Sequence, residues 1–295
     1  MPEHSFGGPW TEEKLSRLRK YLEAYTVIFT RNPGAMNLRR VYVDAFAGTG
    51  VRNAAPEEGD RETQPLFDND GEAEEFKKGS ARVALEIKPP FHEYIFVEKD
   101  PSFARDLENL RENYPKLSDR IVIHNGDANR ILADWVYHSC WGSQRAVVFL
   151  DPYGMQVEWK TIEILAQTEA VDLWLLVPLG QGVNRLLTRG RLPSDAWSER
   201  LTTFLGTDDW RETFYRESGQ INLFDDKPHI VKDASFESIA RFVVGRLDSV
   251  FERVAPNPLM LCNSRNNPIF LLCFASANPK GAPTAVKIAR HLLKG

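Results

Sequence analysis

The chain has 295 residues, 42% hydrophobic and 26% charged, with a formal net charge of −4. That balance excludes a low-complexity or collagen-like chain and describes a globular protein long enough for one large core. No apolar run approaches the roughly 18 residues of a membrane span, and the opening MPEHSFGGPW lacks the basic-then-apolar order of a secretory leader.

Three scattered cysteines, Cys140, Cys262 and Cys273, form no CxxC or Cys/His cluster, so no metal site is expected. All three sit among apolar or aromatic residues and read as reduced core positions of a cytoplasmic protein. The charge is uneven. Residues 51–78 hold nine acidic and four basic side chains, so the rest of the chain is near neutral. Charge alone neither demands nor excludes a nucleic-acid partner.

Thr11–Thr30 predicts the first helix, with Thr11 as cap and Leu15, Leu18, Leu22, Tyr25 and Phe29 as a core-facing stripe. Before it, Phe6-Gly7-Gly8-Pro9-Trp10 reads either as a hinge over a ligand or as a hydrophobic staple at the helix start. Arg40–Gly50, RVYVDAFAGTG, starts as a β-branched and aromatic strand and ends as a glycine turn. Residues 51–78 form an acidic loop insertion. Gly79–Ile87 follows as a helix that Ser80 can cap.

His92–Asp100 is the second strand, and Asp100 and Pro101 start a helix running to about Tyr114. Ile121–Ile123 is the third strand, followed by Asp127 and a helix over Ile131–Cys140. Arg145–Leu150 is a strand buried on both faces and runs into Asp151-Pro152-Tyr153-Gly154. Glu158–Glu169 is helical, and Val171–Leu179 is the fifth strand. This alternation implies a parallel sheet wound with helices. Residues 181–233 read as a helical lid or substrate insertion, with short helices at Asp195–Leu205 and Asp208–Glu217. Ser235–Val254 is amphipathic. Leu259–Asn263 and Ile269–Ala275 are antiparallel strands, and Pro283–Lys294 is the last helix.

The glycine turn after the first strand does not open a helix at once, which argues against a dinucleotide fingerprint. D-x-F-A-G-x-G instead resembles the first motif of S-adenosylmethionine-dependent methyltransferases. The resemblance implies a Rossmann-like class I sheet of seven strands, the last antiparallel, with helices on both faces. One methyltransferase-like domain would then span 1–295. By position it implies that Asp44, Phe46, Ala47, Gly48 and Gly50 meet the methionine part of the cofactor. Glu98, with Asp100 as competitor, would meet the ribose hydroxyls, and Asp127 with Ala128 the adenine. Asp151-Pro152-Tyr153-Gly154 resembles the [DN]-P-P-[YF] turn of amino-group methyltransferases, and more closely the D-P-F-G of tRNA guanine-N2 dimethyltransferases. It implies that Asp151 and the Pro152 segment orient an amino group while Tyr153 stacks on a flipped base. Tyr153 stands one place earlier than the aromatic residue of D-P-P-Y.

Motifs spread along the chain are similar to those of the three-Cys-motif partner proteins (TcmP): Gly7–Leu15, Phe46–Gly50, Gly79–Glu86, Phe96–Asp100, Phe149–Gly154 and Phe274–Gly281. That resemblance implies a separate cysteine-motif protein, similar to radical-SAM enzymes, as partner. The readings that stand are a methyltransferase acting on a nucleic-acid amino group, one acting on a protein or small molecule, and a partner subunit that no longer transfers methyl groups.

Overall fold

The computed structural model describes residues 9–47, 79–218 and 230–294. Helix α1, Pro9–Arg31, leads into strand β1, Arg39–Asp44. A helix over 79–85, α2, is followed by β2, Glu93–Glu98, and α3, Pro101–Asn113. Strand β3, Ile121–Asn125, precedes α4, Ala128–His138; β4, Gln144–Leu150, precedes α5, Trp159–Gln167. Strand β5, Val171–Pro178, passes through a π-turn, Leu179–Val183, into α6, Asn184–Leu186. Helices α7, Asp195–Leu205, and α8, Trp210–Phe214, precede the small strands β6, Tyr215–Glu217, and β7, Ile230–Lys232. Helix α9, Phe236–Asp248, leads to β8, Arg253–Val254, β9, Leu259–Cys262, β10, Pro268–Ser276, and finally α10, Ala282–Leu292.

The main sheet runs β3-β2-β1-β4-β5-β10, with β8 and β9 both against the outer edge of β10. Strands β1 to β5 pair in parallel, and β10 runs antiparallel to β5. This is the strand order of a Rossmann-like class I methyltransferase fold. The sixth position differs from the sequence reading. It is an edge strand in two pieces, β8 opposite Ala275–Ser276 and β9 opposite Pro268–Leu272; the Ala255 amide still donates to the Phe274 carbonyl, and 256–258 interrupt the ladder. Pro256 and Pro258 lack the N–H a continuous ladder would use.

Alternation along the strands builds two cores. Val41, Val43, Val148, Leu150, Leu173 and Leu175 face α4, α5, α7, α8 and α9. Tyr42, Phe149, Trp174, Leu176 and Phe274 face α1, α2, α3 and α10. All of these strand side chains are essentially solvent-free, so the sheet is covered on both faces, as parallel sheets require.

Several local expectations need correction. The first helix starts at Pro9, so Thr11 is a buried first-turn residue rather than its cap. Ser80 lies within α2 and uses its hydroxyl elsewhere. The helix over Asp208–Glu217 stops at Phe214, and Tyr215–Glu217 pairs instead with Ile230–Lys232. The helix over Ser235–Val254 ends at Asp248, because Arg253 and Val254 are taken into the sheet. Cys140 is exposed, not a core residue, Cys262 is half-buried, and Cys273 is buried, which pushes its thiol up. The Phe6–Gly8 part of the proposed hinge and the acidic loop lie outside the described residues.

Candidate active site

In an open α/β sheet, ligands bind outside the carboxyl ends of the strands. Here that edge gathers most of the residues the motifs single out. Asp44 ends β1 fully buried; its Oδ2 accepts from Ser80 Oγ at 2.7 Å and its Oδ1 from the Phe46 amide at 3.4 Å. The chain beyond Asp44 stays laced into the sheet. The Ala45 amide donates to the Phe149 carbonyl and the Ala47 amide to that of Val97. Phe46 is half-buried against the core and Ala47 is buried. Gly48 and Gly50 lie outside the described residues.

Glu98 ends β2, half-buried, with Oε1 accepting the Asp100 amide at 2.7 Å. Asp100 is engaged differently. It caps α3, accepting from the amide and hydroxyl of Ser102, and these bonds hold its carboxyl below the usual range. Asp127 caps α4, accepting from the Arg130 amide at 3.2 Å, and is otherwise exposed; Ala128 behind it is buried. Glu98 and Asp127 thus each use one carboxylate oxygen locally, and no hydrogen bond engages the other among the described residues. The Asn125 side chain ties the β3 end to the carbonyls of Glu98 and Lys99.

The Asp151 turn follows β4. Asp151 and Pro152 are buried, whereas Tyr153 is 40% exposed. Asp151 Oδ2 accepts from Lys14 Nζ at 2.7 Å, and Lys14 is fully buried. The ammonium also lies 5.4 Å from the Trp10 ring centre and 5.7 Å from that of Phe149, a cation–π setting on two sides. No hydrogen bond reaches Asp151 Oδ1 among the described residues. Sequence reasoning missed Lys14 as a site residue. Its signal was a lysine in phase with Leu18, Leu22 and Tyr25 on the buried stripe of α1.

Asn129 is a second missed residue. Its side chain donates to the Gln156 carbonyl and accepts from the Glu158 amide and the Thr161 hydroxyl. It therefore ties the start of α4 to the segment that follows the Asp151 turn. No group of three or more His, Cys, Asp or Glu that could hold a metal occurs among the described residues. No described helix is long and apolar enough to cross a membrane.

No protein-family model matches the chain, and no curated protein matches it. Solved structures do resemble it at low identity. Protein LPL1258 from Legionella pneumophila is 12% identical over 98% of this chain and 92% of that one, with a TM-score of 0.46. A putative methyltransferase, yhhF, from Escherichia coli is 11% identical over 74% and 87%, with a TM-score of 0.31. A spermidine synthase in complex with the transition-state analogue AdoDATO is 10% identical over 92% and 61%, with a TM-score of 0.38. The fold assignment rests on strand order and direction rather than on these scores.

Proposed function

We propose that this protein is an S-adenosylmethionine-dependent methyltransferase acting on an amino group of a nucleic acid. The observation that carries the reading is the shared edge. Asp44 and Glu98 close strands one and two, Asp127 follows strand three at the cap of α4, and the Asp151 turn follows strand four of the same parallel sheet. The donor set fits the cofactor. Glu98, with an oxygen not engaged locally, would accept from ribose hydroxyls, Asp127 from the adenine amino group, and the Phe46–Ala47 backbone would meet the methionine part. Asp100 suits the ribose less well, because the α3 cap already uses it.

The cofactor would supply an electrophilic methyl group on a sulfonium. Asp151 would act on the substrate nitrogen. With Oδ2 held by Lys14, its Oδ1 accepts an N–H of the target and turns the nitrogen lone pair away from itself. Transfer of that methyl group to the nitrogen, with loss of the sulfur–methyl bond, would leave the nitrogen with a surplus proton. That proton would pass to solvent. Tyr153, exposed beside it, offers a ring face to a base.

One observation favours a second reading. Lys14 neutralises Asp151 from within the fold, as it would in a chain that keeps the turn only for stability. Such a chain would serve as a binding subunit, and the similarity to TcmP motifs supports a cysteine-motif partner for either reading. Calorimetry with S-adenosylmethionine and its demethylated product separates the two. Binding of the cofactor, followed by transfer of label from tritiated S-adenosylmethionine to RNA or DNA, is expected. Absence of binding to both compounds overturns the enzyme reading, and labelling of protein alone overturns the substrate.

A further inference from the structure

Beyond β5 the chain builds a basic cleft that the cofactor and amine sites do not use. The π-turn delivers Asn184, whose carbonyl and side-chain oxygen both accept from Lys232 Nζ, at 2.8 and 2.7 Å. The following loop is closed on itself. Thr188 Oγ1 donates to the Arg191 carbonyl at 2.6 Å, Tyr215 OH donates to the Thr188 carbonyl at 3.1 Å, and Gly190 takes a φ of +73° that other residues rarely adopt. This holds Arg189 and Arg191 outward as an ordered tip, both exposed.

Between the tip and β7 lies a cavity of about 400 Å³ lined by Asn184, Arg189, Gly190, Val231, Lys232 and Ala234. Its volume falls within the range of small-ligand clefts, about 300–1,000 Å³. Lys232 is half-buried, and burial together with the nearby Arg189 charge holds its ammonium below the usual lysine range. Among the described residues no carboxylate pairs with Arg189, Arg191 or Lys232. Two cations side by side over a cavity, one of them desolvated, are relieved by an anion. The π-turn that leads into the cleft follows the carboxyl end of β5, beside the end of its parallel neighbour β4, and Gly182 in that turn lies against Met155, two residues beyond Tyr153.

We infer that Arg189, Arg191 and Lys232 form a phosphate-binding subsite that holds the backbone of a single-stranded nucleic acid whose base approaches Tyr153. This rests on the methyltransferase reading for the fate of the base, but not for binding of the strand. Three cations on a net-acidic protein would grip the backbone without reading sequence.

The test is fluorescence anisotropy of a labelled oligouridylate with the full chain across a salt series, with no cofactor present. Binding is expected to weaken with salt, with a log–log slope near −2 for three contacts at about −0.7 each. Arg189→Gln, on the exposed tip, should reduce the slope by about 0.7 and the affinity about fivefold near 0.1 M salt. Lys232→Gln should do the same, provided its melting temperature matches wild type. Lys287→Gln, exposed on α10, should change neither. Competition by oligothymidylate is expected and inorganic phosphate should compete only weakly, whereas polyglutamate competing as well as the oligonucleotide overturns the phosphate assignment. An unchanged slope in Arg189→Gln overturns the subsite. Cofactor binding without oligonucleotide binding overturns this inference and leaves methyl transfer to another substrate standing. Oligonucleotide binding without cofactor binding keeps the subsite and removes the enzyme reading.

Discussion

Lys14 and Asp151, 137 positions apart in sequence, meet at 2.7 Å in a buried ion pair that fastens α1 to the turn after β4. Taking two charges out of water is costly, and removing one partner leaves the other uncompensated. Lys14→Met is therefore expected to lose about 3–5 kcal/mol of stability in urea titrations. Adding Asp151→Asn to Lys14→Met should recover a large part of that loss, because the stranded carboxylate is gone. Additive losses in the double-mutant cycle would mean that the pair is geometrically close but energetically uncoupled.

The acids proposed to meet the cofactor should separate by their local duties. Glu98→Ala should weaken S-adenosylmethionine binding roughly tenfold to a hundredfold, the value of about 1.5–3 kcal/mol for a hydrogen bond to a charged group. Asp100→Ala should instead lower the melting temperature slightly through its α3 cap and leave affinity nearly unchanged. Asp44→Ala removes the acceptor of the Ser80 hydroxyl inside the core. It should cost about 1–3 kcal/mol of stability as well as affinity. Calorimetry and thermal melts on the three variants decide this, and an Asp100→Ala variant that loses the cofactor reverses the ribose assignment.

Asp172 lies in a buried network, accepting from Tyr21 OH at 2.6 Å and from the Ser276 hydroxyl. Burial raises its carboxyl from 3.8 to about 6, against the lowering influence of those two hydrogen bonds and of Arg145. The unfolded chain gives up this proton near the lower value and the native chain near the higher one. This group's contribution is therefore complete below about pH 4 and is lost as the pH rises through about 6. The difference amounts to about 3 kcal/mol. Asp172→Asn should flatten that part of the stability profile relative to wild type. Parallel profiles between pH 4 and 7 would show that Asp172 does not titrate in this window.

Gly206 ends α7 with φ +71°, and a Cβ there would fall 2.0 Å from Cγ of Trp159. Gly206→Ala is expected to lose more stability than the roughly 1–2 kcal/mol of a left-handed alanine alone, since the indole is buried and held by the α5 backbone. Thermal unfolding is the measurement. A loss near zero would mean that Trp159 can swing aside.

The strands were legible because runs such as VVFL and VDLWLLVPL leave no polar face to solvent, and the carboxylates at their ends stand out against them. Alternation implied a parallel sheet and the closing hairpin an antiparallel pair, while the seven-strand arrangement was implied by the methyltransferase resemblance. Less legible was whatever depends on distant residues. Lys14 is in phase with the buried stripe of α1, but nothing local pairs it with Asp151, 137 positions away, and Asp172 was concealed inside an apolar run whose partners come from α1 and β10. The broken edge strand and the β6–β7 pair were missed because two- and three-residue strands carry almost no periodicity.

Asp151 and Tyr153 should fail in different ways if the turn carries chemistry. Asp151→Asn keeps an acceptor for the substrate nitrogen but removes the charge that favours its developing positive form. It should bind S-adenosylmethionine as wild type does and transfer methyl groups slowly. Asp151→Ala strands the buried Lys14 ammonium and should be less stable, but at a temperature where it stays folded it should bind the cofactor and transfer none. Tyr153 is 40% exposed, so Tyr153→Ala should fold normally. Its loss should appear as weaker substrate engagement, roughly tenfold to a hundredfold for a stacking contribution of ~1–3 kcal/mol per base. Tyr153→Phe keeps the ring and should be mild. Methyl-transfer kinetics over a range of nucleic-acid concentration separate these effects, with a KM change for Tyr153 and a kcat change for Asp151. If Tyr153→Ala instead lowers kcat at saturating substrate and leaves KM alone, the ring positions the reacting atoms and is not a stacking platform. Equal labelling by wild type and Asp151→Ala removes the turn from the chemistry altogether and leaves the Lys14–Asp151 pair as a fastening of α1 to the sheet.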